Sequence, residues 1–168
     1  MESLEAARAR VVLDRLAAEK EIAQNFFNRI GEGLEDVEKR RWFRRMGQDE
    51  KDQRKILVKH RKELCRDLID ADGVDGGASL PISPAHQALE GLTKQNDLAY
   101  VDLLRVAVRA AEEARLFCDR ASDLIGDRSC RIFLKILVEE SRSHRDELRV
   151  ELRAEERRIN IAAESEAA

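Results

Sequence analysis

The sequence predicts an all-α fold, and three observations carry that expectation. Only two prolines and eight glycines occur in 168 residues, charged residues make up 39% of the chain, and apolar residues recur at spacings of three and four. A first helix is expected from Ser3 to Ile30, stopped by Gly31-Glu32-Gly33, and a second from Leu34 to Asp70. The segment DGVDGGASLPISP has no periodicity and is rich in glycine and proline, which places the longest loop near residues 71–83. Ser83-Pro84 reads as an N-cap followed by proline at the first helical position. A third helix is expected to reach Leu124 or Ile125, interrupted or bent near Gly91. Gly126-Asp127 then turns the chain into a fourth, ending near Arg158. The domain is therefore residues 1–158, and the tail INIAAESEAA, 159–168, is expected to fray. Two short turns and one long connection describe two antiparallel helical hairpins joined by a crossover.

Thirty-one basic residues against thirty-four acidic ones give a formal net charge of −3, so no excess positive field holds a nucleic acid or an anionic membrane. No apolar run approaches the ~20 residues that span a bilayer, and MESLEAARAR lacks the apolar stretch of a signal peptide. The expected location is the cytoplasm. Cys65, Cys118 and Cys130 are odd in number and show no CxxC spacing, which argues against a disulfide framework and a zinc site.

The two hairpins resemble each other at an offset of 91, from Phe117 minus Phe26. At that offset Ala23 matches Ala114, Trp42 matches Phe133, Met46 matches Leu137 and Leu57 matches Leu148. The register survives the turn, as expected of a pseudo-two-fold repeat. Each helix supplies one seam. The first offers Leu13, Leu16, Lys20, Ala23, Phe27 and Ile30, and the second Phe43, Met46, Glu50, Gln53 and Leu57. The third offers Leu104, Ala107, Ala111, Ala114, Cys118 and Ala121, and the fourth Leu134, Leu137, Ser141, His144 and Leu148. Every seam is apolar except near its middle. If the hairpins pair, Lys20, Glu50, Gln53, Ser141 and His144 converge on one buried layer together with Ala111.

At these residues the chain resembles the ferritin-like superfamily, in its rubrerythrin-like (erythrin) branch. That family repeats a hairpin with E-x-x-A-x-x-F-Y on one helix and E-x-x-H on the next. KEIAQNFF, from Lys20, fits the first motif with Lys20 in place of Glu, and EKDQ, from Glu50, fits the second with Gln53 in place of His. AEEARLFC has Ala111 for Glu, and SRSH has Ser141 for Glu but keeps His144. The resemblance implies a four-helix bundle whose relatives hold di-iron in the core through four Glu and two His. Only Glu50 and His144 remain as remnant metal ligands, and one carboxylate does not neutralise two divalent ions in a low-dielectric layer. No cofactor is expected on that reading.

Two placements of Lys20 stay open: an ammonium paired with Glu50 where metal and carboxylate once balanced, or a side chain that snorkels outward beside Glu19 and Glu21. Metal binding also keeps a route. Glu140 and His144, four apart, share a helix face and with Glu50 form an alternative site for iron or another divalent metal. His60 reads as a partly exposed residue at the bundle end, and His86 has no visible partner. Trp42, Phe43, Phe133 and Phe26 read as packing. The resemblance thus implies a metal-free bundle with an interaction or assembly role, expected to pair as a homodimer and to bind an unidentified protein partner. The alternative is a metal-binding oxidoreductase, di-iron or mononuclear, reducing peroxide or oxidising iron through altered ligands.

Overall fold

The computed structural model describes residues 4–64, 66, 79–96 and 98–167. Within them the chain forms five helices and no strand: α1 Leu4–Gly33, α2 Val37–Leu64, α3 Pro84–Thr93, α4 Tyr100–Leu124 and α5 Arg128–Ala167. The expected end of the second helix near Asp70, the residues of the long loop from 71 to 78, and Cys65 lie outside the described residues.

Local chemistry sets the turns. Asp36 caps α2 by accepting from the backbone N–H of Glu38 and Lys39 at 2.9 and 3.0 Å. Asp127 caps α5 in the same way, accepting from Cys130 N at 2.7 Å. Ser83 is the N-cap of α3, its hydroxyl accepting from His86 N, with Pro84 behind it. α1 and α2 pass close at Gly47, where an added Cβ would meet the side-chain amide of Asn28 and lie 3.5 Å from the Gln24 carbonyl oxygen.

One expectation is placed more exactly and one is corrected. Of the interruption or bend expected near Gly91, the structure shows an interruption placed later, after Thr93, with α4 starting at Tyr100; Lys94 N–H closes α3 onto Gly91 O at 3.2 Å and Gln95 N–H onto Leu92 O at 3.1 Å. The tail expected to fray is helical through Ala167, as a continuation of α5. Once α5 is nucleated and held by the bundle, each further residue adds one backbone bond without a new nucleation cost.

α1 packs chiefly on α2 and α4 on α5, and the two hairpins meet through α1 with α4 and α2 with α5. α3 lies between α1 and α4, touching both. Two apolar clusters fill the interior. One joins Leu13 and Leu16 of α1 to Leu57, Cys118, Ala121, Leu134 and Leu137. The other joins Phe26, Phe27 and Ile30 to Phe43, Met46, Leu89, Leu104 and Leu148. The N-terminal half of α1 therefore meets the C-terminal half of α4, so these two helices run antiparallel. Between the clusters the seams of α1, α2 and α5 turn polar at mid-helix, while α4 presents alanines there. No helix of the described residues is long and apolar enough to cross a membrane.

Candidate functional site: a buried ion-pair layer

The polar layer forms where the apolar rhythms of α1, α2 and α5 force a polar residue inward, while α4 faces it with alanines. Lys20 on α1 is only 4% exposed and Glu50 on α2 only 5%. Burial at these values decides between the two placements of Lys20: its side chain turns into the bundle. Lys20 Nζ lies 2.9 Å from Glu50 Oε2, and Glu50 Oε1 lies 3.1 Å from His144 Nδ1 on α5. The other imidazole nitrogen, Nε2, faces Asp49 Oδ2 at 3.4 Å. Both ring nitrogens thus face carboxylates, the arrangement that an imidazolium with two N–H donors satisfies.

Electrostatics follow from this geometry. Burial pushes the Lys20 ammonium down, but the adjacent Glu50 carboxylate outweighs it and holds the group above its ordinary value. Burial pushes Glu50 up, yet Lys20 and His144 together bring it down to about 2. For His144 burial opposes the charged form, and the bond it donates to Glu50, with the charge of that carboxylate, reverses this, so its pKa is raised. Cys118, on the α4 seam beside the layer, is driven by burial to about 12 against the pull of Lys20. Its thiol is protonated and has little of the thiolate character that reactivity needs.

Lys20, Glu50, Ala111, Ser141 and His144 border one cavity of about 20 Å³, together with His86. The space has room for a single water, and Ser141 Oγ, buried on its wall, has no hydrogen-bond partner among the described residues. Ala111 is half-buried, whereas Ala107, Ala110, Ala114 and Ala121 are the buried alanines of α4. Small residues on this side of α4 leave the room that α3 fills with Ala85, His86 and Leu89.

Gln53 is buried but faces away from the cavity. Its Nε2 donates to Glu140 on the α2–α5 side, where both border an outer groove with Asp49, Asp52 and Glu147. Glu147 is bonded there by Trp42 Nε1 at 2.9 Å and by Arg45. His60 is half-buried and tilts against Phe133, ring centroids 5.5 Å apart.

Sequence reasoning missed a second buried group. His86, expected to have no partner, is 3% exposed, and its Nδ1 is 2.7 Å from Ser83 Oγ. Glu19, expected as a solvated neighbour of Lys20, is 2% exposed. Its Oε1 accepts from Arg15 Nε at 3.0 Å and from Ser83 N at 2.8 Å. This carboxylate clasps the start of α3 onto α1. Burial lowers the His86 pKa against the pull of Glu19, so the imidazole is neutral and able to accept at Nδ1. One local signal for His86 exists: Ala85, His86 and Leu89 form a single helical stripe behind an N-cap.

These residues do not fit a di-iron centre. Both oxygens of Glu50 and both nitrogens of His144 face partners within the protein, an ammonium stands where a cation-binding group is needed, and Ala111 and Ser141 bring no carboxylate. Glu140 is turned to Gln53 on the outer side. Among the described residues no three or more His, Cys, Asp or Glu side chains are grouped to hold a metal ion. No family model, no curated protein and no solved structure matches the chain.

Proposed function

We propose that this chain is a ferritin-like four-helix bundle of the rubrerythrin-like branch in which an internal ion pair has replaced the di-iron centre. It acts in the cytoplasm as an interaction or assembly protein. The observation that carries the reading is the Lys20 to Glu50 contact at 2.9 Å, at the positions where the family motifs carry two glutamate ligands. An ammonium there supplies inside the chain the positive charge that metal ions supply in the relatives. His144 and Glu50, the two residues retained from the motifs, are committed to each other and to Lys20 rather than left open toward a central cation. Catalysis by iron needs exchangeable coordination positions, and this layer has its ligand atoms engaged.

The test is elemental analysis of protein purified without chelators and again after anaerobic incubation with ferrous iron and desalting. No retained iron is expected, and no oxygen consumption on exposure to air. Two irons per chain with oxygen uptake would establish the oxidoreductase reading instead.

A further inference from the structure

A cavity lies where the chain leaves its helical path between Thr93 and Tyr100, at the end of the bundle where α1 stops at Gly33. Its volume is about 380 Å³. Its walls are apolar: Phe26 and Ile30 of α1, Leu92 of α3, Leu98 of the connection, and Tyr100 and Leu103 of α4. Small-molecule sites span ~300–1,000 Å³, so this one suits a compact ligand. It shares no lining residue with the small cavity of the buried layer.

The walls are held in place by the protein itself. Phe26 is buried, its ring set edge-on to Phe27 with centroids 5.6 Å apart. Tyr100 is fixed at both ends: its ring meets Phe43 edge-on at 6.2 Å, and its hydroxyl donates to Glu151 Oε1 at 3.1 Å. Arg29 Nη2 donates to Asn96 Oδ1 at 3.0 Å and ties the connection to α1. A site built in advance loses little freedom when a ligand enters.

Two charged side chains border the cavity, Arg29 and Glu32, one turn apart on α1. Both are exposed, and neither has an ion-pair partner among the described residues. Arg29 is bonded there only by the neutral Asn96, so its other guanidinium N–H groups are left to donate. α1 and α3 end at the cavity and α4 begins at it, which brings helix-end partial charges of both signs to the same place. An apolar anion would meet Glu32, and an apolar amine would meet Arg29. A ligand with both charges on one end answers both.

We propose that this cavity binds one free α-amino acid with a large apolar side chain. The side chain lies among Phe26, Ile30 and Leu103, the carboxylate pairs with Arg29 and the ammonium with Glu32. Residues three apart on a helix hold their Cβ atoms about 5–6 Å from each other, a separation that long side chains close onto two groups carried by one carbon. The end of a peptide carries one of those charges and not the other. This site goes beyond the proposed assembly role and uses no residue of the ion-pair layer.

Isothermal titration calorimetry of the full chain with L-phenylalanine and L-leucine tests the site. A single ligand per chain is expected, with a dissociation constant of about 0.01–1 mM. Phenylalaninamide lacks the carboxylate and N-acetylphenylalanine lacks the ammonium; each is expected to bind roughly tenfold more weakly than phenylalanine. Arg29→Met is expected to weaken phenylalanine about tenfold and to leave phenylalaninamide within about threefold, and Glu32→Gln to do the same with N-acetylphenylalanine as the unaffected compound. Both substitutions are at exposed positions, and unchanged helical circular dichroism checks that each variant is folded. Amide chemical shifts are expected to move at Leu98, Tyr100 and Leu103 and to stay at Ser141. No heat and no shift change at about 10 mM of either amino acid overturns the proposal, as does equal binding of the three phenylalanine compounds or an affinity that neither substitution moves. The iron measurement is unaffected by any of these results.

Discussion

Replacing Glu50 with alanine isolates the buried ion pair and tests it at a single atom group. Removing the carboxylate strands the Lys20 ammonium, 4% exposed, against a cavity of about 20 Å³. At 2.9 Å the Coulomb attraction at an effective dielectric constant of about 20 is about 6 kcal/mol, part of which offsets the cost of desolvating both groups. The Glu50 carboxyl gives a second route to the magnitude. Held at about 2 against an ordinary 4.5, it contributes about 3 kcal/mol at neutral pH. Both routes agree with the ~3–5 kcal/mol lost when one partner of a buried pair is removed. In urea, with a slope of about 2 kcal/mol/M, Glu50→Ala is expected to lower the unfolding midpoint by about 1.5–2.5 M. Lys20→Met with Glu50→Leu removes both charges and restores volume, and is expected to cost less than half as much. Equal losses in the single and double variants, or a single variant within about 1 kcal/mol of wild type, would refute the pair as the organising element of the layer.

Four further outcomes follow from the same geometry. Glu50 has a lowered pKa in the folded state, so its contribution is fully present above the unfolded value near 4.5 and is lost as pH falls toward about 2; urea midpoints measured from pH 2 to 7 are expected to fall over that window and to flatten in Glu50→Gln. His144 is raised, so its contribution is present below the unfolded value near 6.5 and is lost as pH rises through the folded one; an NMR titration of the ring in wild type and Glu50→Gln should show that pKa drop in the variant. Glu19→Ala breaks the clasp on Ser83 and is expected to cost about 1–3 kcal/mol, with hydrogen exchange quickening in α3 before the rest of the bundle. Ser141→Ala removes a buried hydroxyl that has no partner among the described residues and is expected to change stability by less than about 1 kcal/mol.

Much of this architecture is visible along the chain because the interior is built from periodicity. Seam positions such as Leu13, Leu16, Phe43, Met46, Leu134 and Leu137 are buried as their spacing requires, and the polar layer falls where each stripe loses its apolar residue. Cap chemistry at Ser83 was legible for the same reason: an N-cap is a contact within three residues. The position of the break after α3 was legible only as an interruption or bend near Gly91, because residues 94–99 carry no proline and a single glycine marks a helix end no better than a tolerated interior position.

What the sequence determined by itself is therefore the phase of each helix: which residues share a face, and that a lysine, a glutamate, a serine and a histidine occupy the inward face at one level. Tertiary structure alone decided what lies against the flanks. Glu19 and Glu21 bracket Lys20 identically in the chain, yet Glu19 is buried under α3 and Glu21 is exposed. Periodicity fixes angles about a helix axis, whereas burial of a flank depends on a neighbour far away in sequence. That neighbour, α3, is held by Glu19 itself.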